Sequence, residues 1–380
     1  MNSRQQQRSG QLRIRFVFLA AFVLALIPGQ RPAIAAEVVV ATGTPEERPR
    51  QPQVAIAADG TVHLVYGVAD AVYHTQSNDG GQTFSPPALA FRCPNMSLGM
   101  RRGPRLAVVK GEVVVTAIGG LLGKGKDGDI RTWRRSAAGD WSETAHVNDV
   151  ESSAREGLHN MAAGPDGTLW CTWLDLRRKG TELAAAFSRD GGKTWSPNQV
   201  VYRSPDGSVC ECCHPSVAVD SQDGVHILFR NQLDGQRDMF VASSKDAMTF
   251  SPAQALSEKT WTLKACPMDG GMLAVGGDDR VWSAYRRQDQ VFLAVDGRET
   301  LLGRGEQPTV ARHGKGVVVL WTQGRLGDLM VQIGDGAPRK LAAQARDPVV
   351  VSSPAGDRTI AVWESMADGA PQIRAVLIPD

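Results

Sequence analysis

The densest run of reactive side chains in the 380-residue chain is Cys210-Glu211-Cys212-Cys213-His214-Pro215. Three thiols and an imidazole fall within five residues. Such soft donors suit Cu(I) or Zn rather than Mg or Ca. Further donors precede comparable strand patterns elsewhere: Cys93 and Met96, His159 and Met161, Cys266 and Met268. A soft-metal site is therefore expected from Cys210, Cys212, Cys213, His214, Cys266, Cys93 and His159. The spacing is not a familiar zinc motif, because adjacent residues such as Cys212 and Cys213 point different ways in an extended chain. The same thiols support a second chemistry. Cys266 can pair with one of Cys210, Cys212 and Cys213, and Cys93 with another, if their Cα atoms come within about 7 Å. Cys171 alternates inside a strand pattern and reads as a buried lone thiol.

A different set points to acid–base or nucleophilic chemistry on a glycan or another small molecule. Asp175, Glu364, Asp234 and Tyr285 are the candidate acid, base or nucleophile. Arg230 and Arg286 can clamp a carboxylate through paired N–H donors. All six sit at or just past the end of an apolar strand pattern. No phosphate loop, dinucleotide fingerprint or His-Glu-x-x-His motif is present.

Both sets need a scaffold that brings distant segments together. The chain repeats one unit about seven times: a short apolar strand, a turn with Gly or Asp-Gly, and a second strand rich in Val and Trp. Examples are Val54–Ala57 with Val62–Tyr66, and Met161–Ala163 with Leu169–Trp173. The runs are β-branched or aromatic, with no helical period. Units of roughly 40–55 residues have the size of a four-stranded propeller blade. The fold expected is an all-β propeller with seven blades, six being the alternative count. The seventh unit is one strand short, and Glu37-Val38-Val39-Val40 is available to complete it. First strands line the channel of a propeller. Their entries and the loops after the second strands then share one face. Units two to five supply nearly all the soft donors, so the site is expected to lean toward them.

Residues 1–36 read differently. Arg4, Arg8, Arg13 and Arg15 precede an apolar run, Phe16–Ile27, and a small-residue site, Ala33-Ile34-Ala35. This is the pattern of a secretory signal peptide, which makes residues 37–380 the mature domain, periplasmic or secreted. Export permits disulfides. No other run is long and apolar enough to span a bilayer. Removing residues 1–36 takes away five Arg and no acid, leaving 37 basic and 40 acidic residues and a net charge of −3. That balance gives no electrostatic case for nucleic acid or an anionic membrane.

Two turns are nearly identical: Ser77-Asn78-Asp79-Gly80-Gly81-Gln82-Thr83-Phe84 and Ser188-Arg189-Asp190-Gly191-Gly192-Lys193-Thr194-Trp195. A third, Ser244-Lys245-Asp246-Ala247-Met248-Thr249-Phe250, is one residue shorter. In each, the Asp carboxylate can accept backbone N–H groups across the turn. These stretches resemble the Asp-box, or BNR, repeat of the sialidase superfamily. The resemblance implies a β-propeller in which the boxes are structural and lie opposite the functional face. It also implies glycan binding or glycoside hydrolysis of an exo-sialidase-like kind. The family's catalytic set is incomplete here. The segment before Asp79 lacks Arg-Ile-Pro, Arg50-Gln51-Pro52 being at most a remnant. Of four Tyr, only Tyr285 ends a strand from which a nucleophile could project. The Cys-x-Cys-Cys-His run followed by Ala265-Cys266-Pro267-Met268-Asp269 is similar to a group of exported bacterial sialidase-like proteins.

Overall fold

The computed structural model describes residues 36–379. The signal peptide read at residues 1–36 lies outside them, except for its last residue. Every strand pattern in the repeat forms, and no described residue is helical. No helix of the described residues is therefore long and apolar enough to cross a membrane.

Five four-stranded antiparallel sheets succeed one another along the chain. A seven-stranded sheet holds the remainder. That sheet is two blades sharing one long strand, Arg339–Ser352. Its first half pairs with Gly327–Ile333, as in Leu329 opposite Ala342. Its second half pairs with Thr359–Ser365, as in Val350 opposite Ala361. A register slip between Arg346 and Val349 marks the corner where the strand changes blade. The blades therefore number seven.

The last blade is completed by Val38–Thr42, which pairs antiparallel with Gln372–Ile378, Val38 opposite Ala375 and Thr42 opposite Gln372. The N-terminal strand closes the ring and covers what would otherwise be a bare sheet edge. The first strands touch in unbroken sequence: Arg50–Ile56, Arg105–Val109, His159–Ala163, Ser216–Val219, Met272–Val275, Glu306–His313 and Val349–Ser352. They surround an axial channel of about 430 Å³.

The core is distributed between blades rather than gathered at one centre. Trp173, Trp321 and Trp363, all on second strands, are fully buried in three different inter-blade layers. The three turns behave as expected. Asp79 accepts from the N–H groups of Gln82 and Thr83 at 3.0 and 2.9 Å, and Asp190 from those of Lys193 and Thr194 at 3.0 Å each. The closing aromatic of each turn then fastens its blade to the preceding one. Trp195 donates through Nε1 to Thr132 Oγ1 at 3.0 Å, and Phe250 packs edge-on against Trp170. The turns join third to fourth strands, so they lie on the face opposite the first-strand entries.

Candidate functional site

Five of the seven first strands are entered through a proline step: Gln51-Pro52, Gly103-Pro104, His214-Pro215, Gln307-Pro308 and Asp347-Pro348. Proline brings no N–H, so the ladder loosens there. At Gln51, Gln307 and Asp347 the backbone adopts φ of 53°, 57° and 48°, and the pairing register slips at each. Left-handed backbone at a non-glycine residue costs on the order of 1–3 kcal/mol and collects at functional sites. Here it turns three polar side chains toward one another.

Gln51 Nε2 donates to Asp347 Oδ2 at 2.7 Å and to Glu364 Oε1 at 3.3 Å. The Gln51 N–H also donates to Glu364 Oε1, at 2.9 Å. Gln307 Nε2 donates to Asp347 Oδ1 at 3.2 Å, and the Asp347 N–H returns a bond to Gln307 Oε1 at 2.9 Å. The Gln307 N–H donates to Asp269 Oδ2 at 2.7 Å. Arg101 reaches across from the second blade. It donates to the carbonyls of Pro348 and Pro308 at 2.9 and 3.4 Å and pairs with Asp347 at 3.5 Å. This network spans the channel mouth.

Immediately beside it lies a pocket of about 110 Å³. Its wall carries three guanidinium groups, Arg50, Arg325 and Arg346, and three carboxyl groups, Glu306, Asp347 and Glu364. Met100 and Met268 supply apolar surface. Arg346 Nε donates to Glu364 Oε2 at 2.7 Å. Burial pushes the Glu364 carboxyl up to about 6, the neighbouring Asp347 carboxylate adds to the rise, and Arg346 opposes it. Burial likewise raises Asp269 to about 6, against the pull of Arg101. Asp269 Oδ1 is buried and makes no hydrogen bond among the described residues.

The residues singled out from sequence fare unequally. Glu364 is in the pocket wall. Arg286 is close by, paired with Glu306 at 3.0 Å and stacked near Trp261. Arg230 is fully buried and saturated by the carbonyls of Asp269, Arg237 and Arg286, leaving no fork for a substrate. Asp175 is fully buried, holding Trp173 Nε1 at 2.8 Å and Arg177 Nε at 2.8 Å. Tyr285 turns away from the mouth: its hydroxyl donates to Glu299, which also takes Arg287. Burial and that carboxylate push the phenol pKa up, opposite to what a nucleophile needs. Asp234 is an exposed loop residue whose N–H bonds Asp206 at 2.7 Å.

The expected common centre of soft donors separates into parts. Cys93 is buried between the first two blades, and burial raises its pKa to about 12. His159, fully buried, shares a 3.0 Å hydrogen bond with Thr116 Oγ1. Cys266 is exposed, and all six thiols are free. His214 does not join the three sulfurs: its ring lies against Gly270, with both ring nitrogens buried and unbonded among the described residues. What does converge is Cys210, Cys212 and Cys213, whose sulfurs lie within 4.8 Å of one another. Burial and the Cys210 thiolate raise Cys213, while hydrogen bonds from Cys212 and Cys213 lower Cys210. Met268 packs against this triad from one side and lines the pocket on the other. Cys171 is the buried lone thiol its alternation predicts.

Gln307, Asp347, Arg101 and Arg346 went unnoticed in the sequence, and Gln51 stood out only within Arg50-Gln51-Pro52. The recurring X-Pro step ahead of the first strand was the signal for Gln51, Gln307 and Asp347.

The solved structures similar to this chain are propeller enzymes. The α-L-arabinanase of Penicillium chrysogenum, complexed with arabinobiose, is 14% identical over 92% of this chain and 99% of its own, with a TM-score of 0.56. A polysaccharide lyase, the PL25 ulvan lyase bound to a -[GlcA(1-4)Rha3S]- unit, is 10% identical over 90% and 96%, also at 0.56. The virginiamycin B lyase of Staphylococcus aureus with quinupristin is 13% identical over 90% and 99%, at 0.52. Identities this low carry the fold alone. No curated protein matches in sequence. A family model for the BNR repeat-like domain matches residues 108–302, more than half of the sequence. With the turns, the blades and the closed ring in place, the chain belongs to the BNR repeat-like domain family.

Proposed function

We propose that the protein is an exported propeller that binds an anionic glycan at the channel mouth and acts on it by acid–base chemistry. The observation that carries this reading is the pocket wall itself: three guanidinium groups beside three carboxyl groups, one of them Glu364 at about 6. Arg50, Arg346 and Arg325 match uronate or sulfate oxygens through paired N–H donors. Glu364 has the pKa of a group that can both give and take a proton near neutral pH. Asp347 and Glu364 both accept from Gln51 Nε2, at 2.7 and 3.3 Å. A donor shared at 2.7 and 3.3 Å keeps those two oxygens within about 6 Å of each other, close enough for the two carboxyl groups to work as a pair. In this assignment Glu364 is the acid and base, and Asp347 the nucleophile or charge stabiliser. The arabinobiose and sulfated glucuronate–rhamnose ligands of two similarly folded enzymes support a glycan, and the second of them is anionic.

The test is a panel of uronic-acid-containing and sulfated oligosaccharides and sialosides, read by calorimetry and by product release. Binding of at least one anionic member, weakened by Arg346→Ala and by added salt, is expected. Preference for neutral sugars, or no binding across the panel, would end this reading.

A further inference from the structure

The three-thiol cluster lies apart from the pocket's carboxyl groups and shares only Met268 with its wall. We propose that Cys210, Cys212 and Cys213 form a Cu(I) site, with the Met268 thioether as an additional, weaker donor.

The argument begins with geometry. Cys210 Sγ lies 3.5 Å from Cys213 Sγ and 3.8 Å from Cys212 Sγ. Three sulfurs around a single ion with metal–sulfur bonds of about 2.3 Å stand roughly 3.8 Å apart. Two of the three sulfur–sulfur distances are therefore already close to chelating distance, and the third lies within 4.8 Å. The short Cys-x-Cys-Cys loop achieves this because it is not a strand. Its residues turn between Tyr202 and Ser216, and the Cys210 N–H is pinned to the Arg230 carbonyl at 3.0 Å. That anchor belongs to the second strand of the fourth blade, so the loop is held by the blade it leads into.

The donor set selects the ion. Among the described residues, no carboxylate or imidazole joins the three sulfurs to complete a larger set. The fourth side chain packed on them is Met268, a thioether. Thioether with thiolate is a Cu(I) combination; zinc sites draw on Cys, His and carboxylates. The surroundings are dry: Cys210 is fully buried, Cys213 is 1% exposed and Cys212 9%. A dry, all-sulfur nest excludes the water and hard oxygen ligands that Cu(II) or Mg would require.

The location gives the site a consequence. Met268 has φ of 55°, and it precedes Asp269, which anchors Gln307 at the channel mouth. An ion held by the thiols and Met268 fixes this turn from behind. The ion would thereby steady the hydrogen-bonded network beside the pocket without touching a substrate.

The test uses the full mature protein, reduced and kept anaerobic, with Cu(I) delivered from a chromophoric competing chelator. Uptake of one equivalent is expected, with three sulfur neighbours at about 2.3 Å by X-ray absorption. Cys212→Ser should weaken the affinity at least 100-fold. Met268→Leu, which preserves volume, should weaken it about tenfold while leaving the circular dichroism spectrum unchanged. Cu(I) should also raise the melting temperature of the wild type and not of Cys212→Ser. Four results would overturn the proposal: no uptake by the wild type, uptake unaffected by Cys212→Ser, tighter retention of Zn(II) than Cu(I), or a Cys210–Cys213 disulfide in freshly isolated protein. If Cys212→Ser fails to fold, the Met268→Leu arm and the wild-type absorption spectrum still decide.

Discussion

Two groups of blades meet at the same mouth and use the same backbone position for different ends. Where the fourth blade begins, the chain compresses its donors into one short loop, Cys210 to His214. Where the first, sixth and seventh begin, single polar residues stand at Gln51, Gln307 and Asp347, and they meet only because the ring closes. The sulfur side is local and satisfied by its neighbours in sequence. The carboxylate side is assembled from residues as far apart as Gln51 and Glu364, with Gln51, Gln307 and Asp347 each held in a bulge with left-handed backbone. A local cluster of donors can hold an ion; a distributed one can place opposite charges around a space. The comparison makes the two halves separable by mutation.

The largest separation is expected from Glu364→Gln. Loss of a general acid costs on the order of 10²–10⁴ in rate. The amide keeps the shape and can still accept from the Gln51 N–H, so folding and Cu(I) uptake should be unchanged. Turnover of whichever anionic glycan binds is the measurement, and retained turnover would remove Glu364 from the chemistry. Next comes Arg101→Met, which cuts the link across the channel. It leaves Asp347 buried with its cation gone, a loss of about 3–5 kcal/mol by the usual cost of breaking a buried pair. Denaturant unfolding reads it. A stability unchanged within about 1 kcal/mol would mean that the two amides already satisfy Asp347.

This separation also explains what could be read in advance. The seven blades, the closing strand at Val38–Thr42 and the structural turns at Asp79, Asp190 and Asp246 were all legible. Each is a short-range pattern: alternation, a turn carboxylate, or an unpaired edge. The thiol triad was legible for the same reason, since its members are within four residues. Cys93, Cys266 and His159 were attached to it by their position in the repeat alone. Repeat position fixes the end of a blade but not the direction in which a side chain leaves it. Tyr285 shows the same limit, being correctly placed at a strand and wrongly aimed. Glu364 was named from sequence, but the network around it was illegible because its hydrogen-bonded partners are far apart along the chain. A proline step is too common to announce that three such entries bend their side chains to one point.

The opposed pKa shifts on the two faces of the ring give an intermediate effect, with opposite signs. Asp269 and Glu364 titrate near 6 in the folded protein, above their ordinary values. Between those ordinary values and 6, the folded state holds protons that the unfolded state has released. The neutral form is therefore the one the fold favours. The resulting stability is complete below the unfolded pKa and is lost as pH rises through about 6, at roughly 3 kcal/mol for Asp269 and roughly 2 kcal/mol for Glu364. On the far face Asp190 runs the other way. Burial opposes the shift, but the hydroxyl of Thr194 leads the hydrogen bonds that lower it to about 2. Its contribution is present above the unfolded value and is lost as pH falls toward 2. Melting temperatures from pH 3 to 8 should fall at both ends. Asp269→Asn should flatten only the alkaline limb, and an unaltered limb would disprove the assignment.

The smallest expected effect sharpens the boundary between site and scaffold. Tyr285 sits behind the mouth, between Phe292 and the Arg287–Glu299 pair. Tyr285→Phe keeps the ring and its packing and removes only the hydroxyl's bonds, to Glu299 and Ser257. A partly buried hydrogen bond to a charged group contributes on the order of 1.5–3 kcal/mol at most. Arg287 remains to satisfy Glu299, so the loss should fall at or below the lower end of that range. Glycan binding, any turnover and Cu(I) uptake should all be unchanged, because no atom of Tyr285 reaches the pocket or the thiols. A loss of turnover with stability intact would return the phenol to the chemistry and move the active centre from the sixth and seventh blades to the fifth.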